Sequence, residues 1–568
     1  MHRMMQPSGT SEGLRGLLDS TLLKSVKKVM QNRAIFGPSV LALAINIMAT
    51  FVHNEPTCLP VIQEAGLPEA FYGIVEKGLE PIIEVIQSVP NAIGALCLNQ
   101  VGQDQLTARP NIIPSIFSIL TSEEHQRVLQ EKENAVLIGT SIEELIRHHP
   151  SLKDKVFVAI KATMVKIEDF GKAFVPSDDI KHLYRLQPTA LPSPMPATSE
   201  VEAPMEIDAS AAATSTSTQQ VRQPGAQPSA EPSPLRDDLY GRPHDNIIIW
   251  YIDVFGKFLE GFFQHVPHCR DFVADAEGLD LLARMTSLPC LPYDFANSVG
   301  SDSLVQVIRT MAESATTETL AFLTKLVQDS LDECKDFWQT MEEQSKLLPM
   351  VEFTAGEDEA KVNERFRKLI TLHIRTSLLS DIYATAGYSH GRASTTLLQA
   401  LLGPKSSPLT DLGSLHRTCV WENIVLKAAL AAQEAKVETP AAEATASPSA
   451  PSAQEPEAAT TSATARPGDA VAANGAATGE PSIPTPPAKK EEKPKDKNAN
   501  GLKHLVTQIP TSLAPFFQSV VRLFQTRRTS DLSQKQKIKE AAGILADVLV
   551  KHLEPLPFRT CTAFVVWS

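Results

Sequence analysis

A short hydrolase-like motif is the sharpest chemical pattern in this sequence. Residues 387–391 read GYSHG and match G-x-S-x-G, the pattern in which an α/β hydrolase presents its nucleophile, here Ser389. That chemistry needs a buried strand that runs into a strained turn and then a helix. The apolar residues before the motif follow a helical spacing instead: Phe366, Leu369, Ile370 and Ile374. We therefore interpret GYSHG as a turn between helices and keep an α/β hydrolase as an alternative.

A second candidate is a metal site. His265, His268 and Cys269 lie close together, and zinc accepts both His and Cys as ligands. A proline lies between the two histidines, and no second pair of ligands has suitable spacing. His148 and His149 also fall near a helix end, where they can interact with the terminal carbonyl groups. We favour ordinary helix-end residues in both places and predict no metal, no cofactor and no catalytic residue.

The cysteines indicate the redox state of the cellular compartment and show no pattern typical of a reactive or metal-binding site. Seven are scattered along the chain, with no C-x-x-C pair and no N-x-[ST] glycosylation site, which favours a reducing cytoplasm or nucleus. Cys561 lies between Thr560 and Thr562 near the end of the sequence. A reactive thiol needs surroundings that stabilise the thiolate, and no domain surrounds this one. We expect no thioester on Cys561.

The elements that would position any site are helices arranged in repeats. Residues 54–99 combine Ala65-Gly66-Leu67-Pro68, an apolar helix to Val75, a break at Gly78, and a longer helix that ends before Asn99. The same order begins again around Pro114, 46 residues after Pro68 (114 − 68). Armadillo and HEAT repeats are about 40–47 residues long. The sequence predicts an all-α, armadillo/HEAT-like solenoid, whose function is binding.

Two low-complexity tracts interrupt this array. Residues 187–234 contain nine prolines and residues 437–500 contain ten, and neither tract has an aromatic residue. Such tracts cannot bury enough apolar surface to offset the entropy of ordering. We predict helical repeats over 1–186 and 237–435, disordered linkers over 187–236 and 436–501, a helical segment that starts a further repeat over 502–553, and an atypical tail over 554–568.

Charge and hydropathy limit the partners. The net charge of −13 disfavours general nucleic-acid binding, which needs dense Lys and Arg. The strongest apolar run, residues 39–52, is shorter than the roughly 20 residues that span a membrane. Residues 247–252, IIIWYI, could form a strand in isolation, but their continuation keeps a helical spacing. We expect protein substrates or adaptors as partners.

The repeat block resembles the N-terminal region of the giant HECT-type E3 ubiquitin ligases. The resemblance is carried by NEPT at 54–57, QEAGLP at 63–68, PNAIGALCLN at 90–99 and, more weakly, by residues 269–295. It implies an armadillo-like array that presents substrates to a catalytic domain, where ubiquitin transfer proceeds through a cysteine thioester. The motif positions carried over, as structural residues, are Asn54, Pro56, Gly66, Pro68, Asn91, Gly94, Asn99 and Gly278.

The resemblance implies a function, and this sequence departs from the family's pattern in one respect. No catalytic HECT domain follows residue 553, so we expect a truncated gene model or an isolated scaffold fragment that is inactive alone. We predict a substrate-docking scaffold of such a ligase; the alternative is a free-standing armadillo/HEAT adaptor with no ubiquitin role. Nuclear-import adaptors carry Trp four residues before the peptide-binding Asn, and here position 95 is Ala. We expect Asn99 to bond a neighbouring loop.

Two further expectations concern packing. Glycines 66 and 94 should supply a positive φ or a close helix approach, so that replacing either would destabilise the first repeat. The helix from Ile538 to Leu549 should leave an apolar stripe exposed, because no following helix covers it.

Overall fold

The computed structural model describes residues 21–131, 133–177, 180–184, 246–353, 357–386, 400–401, 408–438, 494–525 and 532–553. Over these residues every regular element is a helix and none is a strand. The predicted all-α, solenoid-like fold is therefore confirmed. Most of the two predicted linkers, Ser389 and Cys561 lie outside the described residues.

The helices before the first low-complexity tract are α1 Leu22–Gln31, α2 Arg33–Phe36, α3 Pro38–Asn54, α4 Leu59–Glu64, α5 Leu67–Glu76, α6 Ile83–Leu96, α7 Gln100–Thr107, α8 Ile112–Phe117, α9 Glu123–Gln130, α10 Asn134–His148, α11 Lys153–Ala173 and α12 Lys181–Tyr184. Those between the tracts are α13 Ile247–Phe262, α14 Val266–Ala274, α15 Ala276–Met285, α16 Val299–Ser314, α17 Thr316–Glu333, α18 Lys335–Trp338, α19 Leu348–Val351, α20 Glu357–Ala386 and α21 Pro408–Glu438. The last two are α22 Pro494–Gln525 and α23 Leu532–Leu553.

The helices stack in series. Helix α3 packs on α6, α6 on α10, α10 on α13, α13 on α16, α16 on α20, and α20 on α22. Shorter or peripheral helices cover this series from outside, as α1 covers α3 and α11 contacts α15. Nearly all buried apolar side chains belong to one continuous core. Each helix therefore buries its apolar face on its neighbours, as repeat arrays do.

Helical spacing in the sequence corresponds to these buried faces. Ile138, Ile142, Leu145 and Ile146 are all buried in α10, as their spacing predicted. The IIIWYI segment begins α13 and is helical. Gly171 would suit a helix end by its residue type, and Ser141 with Glu144 has the spacing of a capping box. Gly171 nevertheless lies inside α11, and Ser141 and Glu144 lie within α10, so neither pattern marks a helix end here.

The two long helical blocks meet through the crossing of α10 and α13. A Cβ atom built on Gly139 would lie 2.0 Å from the carbonyl oxygen of Phe258, and one built on Gly261 would lie 2.0 Å from that of Val136. Real Cβ atoms do not come so close to backbone. The two helices can therefore approach to this distance only because each presents a glycine to the other.

The last helix has a partner that the sequence did not reveal. Ala541, Leu545 and Val548 are buried in α23, which packs on α21. A Cβ on Gly413 of α21 would lie 2.4 Å from Val548, so the contact is close. The expectation of an uncovered apolar stripe was therefore only partly right: α21 covers Ala541, Leu545 and Val548, whereas Leu549 is 45% exposed. None of the described helices is long and apolar enough to cross a membrane.

Candidate functional site

The motif that carries the family resemblance builds the turn into α5. Gly66 precedes the helix in the left-handed region, at φ +72°, and Pro68 is buried at the second helical position. Gly78 follows the helix at φ +95°, and its carbonyl accepts a hydrogen bond of 3.0 Å from Arg33 Nη1. Glycine tolerates these backbone angles because it has no Cβ. The Gly-Pro start and the Gly break therefore mark real helix ends.

The end of the motif forms a second turn. Asn99 caps α7, because its side-chain oxygen accepts a hydrogen bond of 3.1 Å from the backbone N–H of Val101. The helix then approaches its predecessor closely, since a Cβ on Gly102 would lie 1.8 Å from the carbonyl oxygen of Leu96. Asn99 thus bonds its own helix rather than a neighbouring loop, and it has a local structural role.

The remaining motif residues lie at helix ends or on helix surfaces. Asn54 ends α3, Pro56 begins a 3-10 turn, and Asn91 is exposed on α6. Gly278 is buried in α15, where a Cβ would lie 3.0 Å from the Phe272 ring. Gly94 differs from expectation: it is helical without a positive φ, and a Cβ there would lie 3.6 Å from Leu145. That distance is an ordinary contact, so the predicted close approach at Gly94 was wrong.

Alanine substitution should distinguish Gly66 from Gly94. We expect Gly66→Ala to lower the free energy of unfolding by about 1–2 kcal/mol, because the left-handed region is unfavourable for residues with a Cβ. Gly94→Ala should leave it unchanged or raise it by up to about 1 kcal/mol, since alanine favours a helix. Thermal unfolding followed by circular dichroism measures both. Equal destabilisation by the two variants would show that the positive φ is not the cause.

Arg109 joins the first repeat to the second. Its guanidinium forms ion pairs with Glu69 and Glu76, both on α5, and lies 5.5 Å from the centre of the Tyr72 ring. Burial, the largest influence, raises the pKa of the Tyr72 hydroxyl. The spacing of Glu69, Tyr72 and Glu76 on one helix face was readable in the sequence, but their arginine partner was not. This cluster is a structural link between repeats.

The chain folds a histidine pair against a buried carboxylate at the junction of the blocks. Glu143 Oε1, on α10, lies 3.3 Å from His265 Nδ1 and 3.4 Å from His268 Nδ1, and the two Nδ1 atoms are 3.3 Å apart. Glu143 and His268 are buried and His265 is half-buried. Burial, with smaller contributions from His265 and Lys153, lowers the pKa of His268. The three groups could together hold a metal ion.

Cys269, the third residue considered as a ligand in the sequence, is not part of this cluster. Cys269 is buried, and burial raises the pKa of its thiol to about 11 although Ser314 and Arg270 oppose the shift. Glu143 takes its place, 122 residues before His265 in the chain (265 − 143). No local spacing links Glu143 to the histidines, so only the packing of α10 against α13 and α14 could reveal it.

Nucleophilic cysteines are not found among the described residues. All six cysteines that the structure describes are buried. Burial raises the thiol pKa of Cys97, Cys290 and Cys334 to about 12, and also that of Cys419. A thiol in such surroundings stays protonated and is a weak nucleophile. The fold and these side chains define an all-helical repeat scaffold.

Comparison with known proteins identifies the family. Residues 1–294 match the family model described as Domain of Unknown Function (DUF913), and because the match covers more than half of the chain, the chain belongs to this family. It is 42% identical over 153 residues (27% of the chain) to E3 ubiquitin-protein ligase ptr1 of Schizosaccharomyces pombe. It is 30% identical over 348 residues (58% of the chain) to E3 ubiquitin-protein ligase HUWE1 of Mus musculus.

A plant ligase shows the same similarity: E3 ubiquitin-protein ligase UPL1 of Arabidopsis thaliana is 29% identical over 157 residues, or 27% of the chain. These matches cover only 5%, 8% and 4% of the ptr1, HUWE1 and UPL1 proteins, respectively. The chain therefore corresponds to a small part of each relative. The predicted resemblance to the giant E3 ubiquitin ligases is confirmed.

Proposed function

We propose that this chain is the helical scaffold and substrate-docking region of a HECT-type E3 ubiquitin ligase. One observation carries the proposal: the match to the mouse ligase spans 348 residues, more than either helical block holds by itself. A match of that length involves the repeat array as a unit and not one motif. Ligase activity would belong to a catalytic domain elsewhere in such a protein, and the part played by this array is to hold the substrate.

Among the residues that the structure describes, the cysteines are all buried, which is consistent with a binding role for the array. Burial raises the thiol pKa of five of these six cysteines, so substrate positioning is the contribution that we assign to the helices. Positioning is itself catalytic, since holding two reactants together converts a bimolecular step into an effectively unimolecular one. The proposal therefore requires a surface that a protein substrate can occupy.

The face formed by α2 and the start of α3 supplies such a surface. Ile35, Val40 and Leu43 are 79%, 41% and 45% exposed, and Phe36 beside them is 38% exposed. Single exposed apolar residues are ordinary, whereas several close together favour a protein interface. We assign this face, the α2–α3 face, to a protein substrate that offers an apolar segment.

A chimera tests the proposal. The matching region of the fission-yeast ligase would be deleted, or replaced by the full 568-residue chain. We expect the chimera to restore ubiquitination of that ligase's own substrates, whereas the deletion retains only self-ubiquitination. Self-ubiquitination reports an intact catalytic domain in every sample. If the chimera modifies itself but no substrate, the chain is an adaptor without a ubiquitin role, and the proposal is wrong.

Point variants in the chimera test the α2–α3 face. Ile35→Ser with Leu43→Ser should reduce substrate ubiquitination without lowering the thermal midpoint, because both side chains are exposed. Val158→Ser, at a side chain that is 63% exposed on α11, is the matched control and should have no effect. An equal loss of substrate ubiquitination in the double variant and in the control would show that no particular face binds the substrate.

The remaining features of the proposal concern partners and location. The partners are protein substrates or adaptors, and neither nucleic acid nor a small-molecule cofactor takes part. The scaffold would work in the cytoplasm, the nucleus or both, where scattered cysteines stay reduced. Imaging of a tagged full-length chain in cells checks the location, and exclusive residence in a secretory compartment would contradict it.

A further inference from the structure

The cluster of Glu143, His265 and His268 has the dimensions of a metal site. Its three closest atoms, Glu143 Oε1 and the two Nδ1 atoms, form a nearly equilateral triangle with edges of 3.3, 3.4 and 3.3 Å. In a tetrahedral complex, neighbouring ligand atoms are separated by about 1.63 times the metal–ligand bond. Zinc bonds of about 2.0–2.1 Å therefore require edges of roughly 3.3–3.4 Å. The triangle matches one face of a zinc tetrahedron.

Hydrogen bonding alone does not satisfy this triangle. The carboxylate oxygen can only accept, and each neutral imidazole Nδ1 is either a donor or an acceptor. If both Nδ1 atoms carry hydrogen, their N–H groups face each other. If only one does, the lone pair of the other faces the carboxylate. With Glu143 ionised, every arrangement of neutral rings thus leaves one repulsive edge, which a cation at the centre removes.

The carboxylate supplies independent support. Glu143 is 5% exposed, and its Oε1 atom is buried without a hydrogen bond of acceptable geometry although it is directed at both histidines. Such an oxygen is costly to bury unless a cation or a donor satisfies it. Arg147 Nε lies 3.5 Å away, but the arginine side chain is 46% exposed and can turn into solvent.

We propose that Glu143, His265 and His268 bind one divalent transition-metal ion through Oε1 and the two Nδ1 atoms. The ligand types favour zinc. Two histidines and a glutamate are an established zinc-binding set, in which water occupies the fourth position. Solvent reaches the cluster at His265, whose side chain is 34% exposed.

The ion would join two parts of the chain that are distant in sequence. Glu143 belongs to α10, in the block before the first low-complexity tract, and the histidines flank the start of α14, in the block after it. The metal therefore fastens the junction where α10 crosses α13. Binding only to the folded chain stabilises it by mass action, so the thermal midpoint rises with zinc concentration.

Zinc titration of the full chain tests the proposal. Protein stripped with a chelator would be titrated with Zn²⁺ against a chromophoric competitor, with metal content measured by mass spectrometry. We expect one equivalent bound and a higher thermal midpoint. Glu143→Gln and His268→Ala should each weaken the affinity at least about tenfold, because losing even an outer-shell partner costs 10–100-fold. No bound zinc, or unchanged affinity in both variants, would overturn the proposal.

Two control variants separate this site from other zinc-binding groups. His148→Ala removes an exposed histidine from the same helix, and Cys269→Ala removes the thiol next to His268. Both should keep one equivalent of zinc. Cobalt substitution in the unmodified chain needs no variant at all: we expect the visible absorption of tetrahedral Co²⁺ without a thiolate charge-transfer band. A thiolate band, or an octahedral spectrum, would refute the assigned ligands.

Discussion

Gly139→Ala and Gly261→Ala are each expected to destabilise the chain by about 3 kcal/mol or more. A Cβ at either position would lie 2.0 Å from a carbonyl oxygen of the opposite helix, so α10 and α13 must move apart. Overpacking a tight core typically costs about 1–3 kcal/mol, and here the obstacle is backbone, which cannot rotate away. The loss would appear as a lower urea midpoint in an unfolding experiment followed by circular dichroism.

Gly73→Ala is the matched control, because Gly73 lies within α5 and a Cβ there would have no atom within 4 Å. We expect this variant to be more stable than the parent by about 0.5–1 kcal/mol, since glycine is unfavourable inside a helix. The contrast between the variants separates the effect of the crossing from helix propensity. Stable Gly139→Ala and Gly261→Ala proteins would mean that the two helices do not approach as closely as the structure shows.

Acid should weaken the attachment of α22 to α20, with His373 as the largest single contributor. This histidine, on α20, is 1% exposed, and burial lowers its pKa to about 4. The charge of His504, on α22, lowers the pKa further, while a hydrogen bond to the backbone of Tyr293 opposes the shift. The rings of His373 and His504 are 6.1 Å apart, so protonation of either opposes the packing of the two helices.

The direction follows from comparing the folded and unfolded chains. Between pH 6.5 and 4 the unfolded chain protonates His373 and the folded chain does not, so lowering the pH favours unfolding. The stabilisation is present above pH 6.5 and is lost as the pH falls toward 4. From pH 7 to pH 5 the contribution of His373 should fall by about 2 kcal/mol, at about 1.36 kcal/mol per unit.

His373→Phe isolates this contribution. The variant keeps an aromatic ring of similar shape and removes the titrating group, so it should lose about 2 kcal/mol less stability than the parent between pH 7 and pH 5. Urea unfolding at each pH provides the measurement, and the other ionisable groups, common to both proteins, cancel. Identical pH dependence of the two proteins would show that His373 does not stay neutral in the folded chain.

Both predicted effects depend on contacts between segments that are distant in sequence. Contacts of this kind are also what the sequence could not predict, whereas local structure was predictable. The helices were predictable from local patterns: the 3.6-residue spacing of Ile138, Ile142 and Leu145, and the glycine and proline at positions 66 and 68 that begin α5. The sequence also identifies the family, because residues 1–294 match its model without any structural information.

Which helices pack against each other could not be read from the sequence. Gly139 and Gly261 are ordinary helical glycines until α10 and α13 cross. Three apolar residues of α23, Ala541, Leu545 and Val548, likewise have no visible partner in the sequence, and the structure places α21 against that helix. Glu143 becomes a ligand candidate only because packing brings it within 3.4 Å of two histidines that follow more than a hundred residues later. Helix periodicity specifies that an apolar face must be buried, but many neighbours satisfy that requirement equally. The choice among them rests on side-chain and backbone complementarity between segments remote in sequence, which no local spacing records.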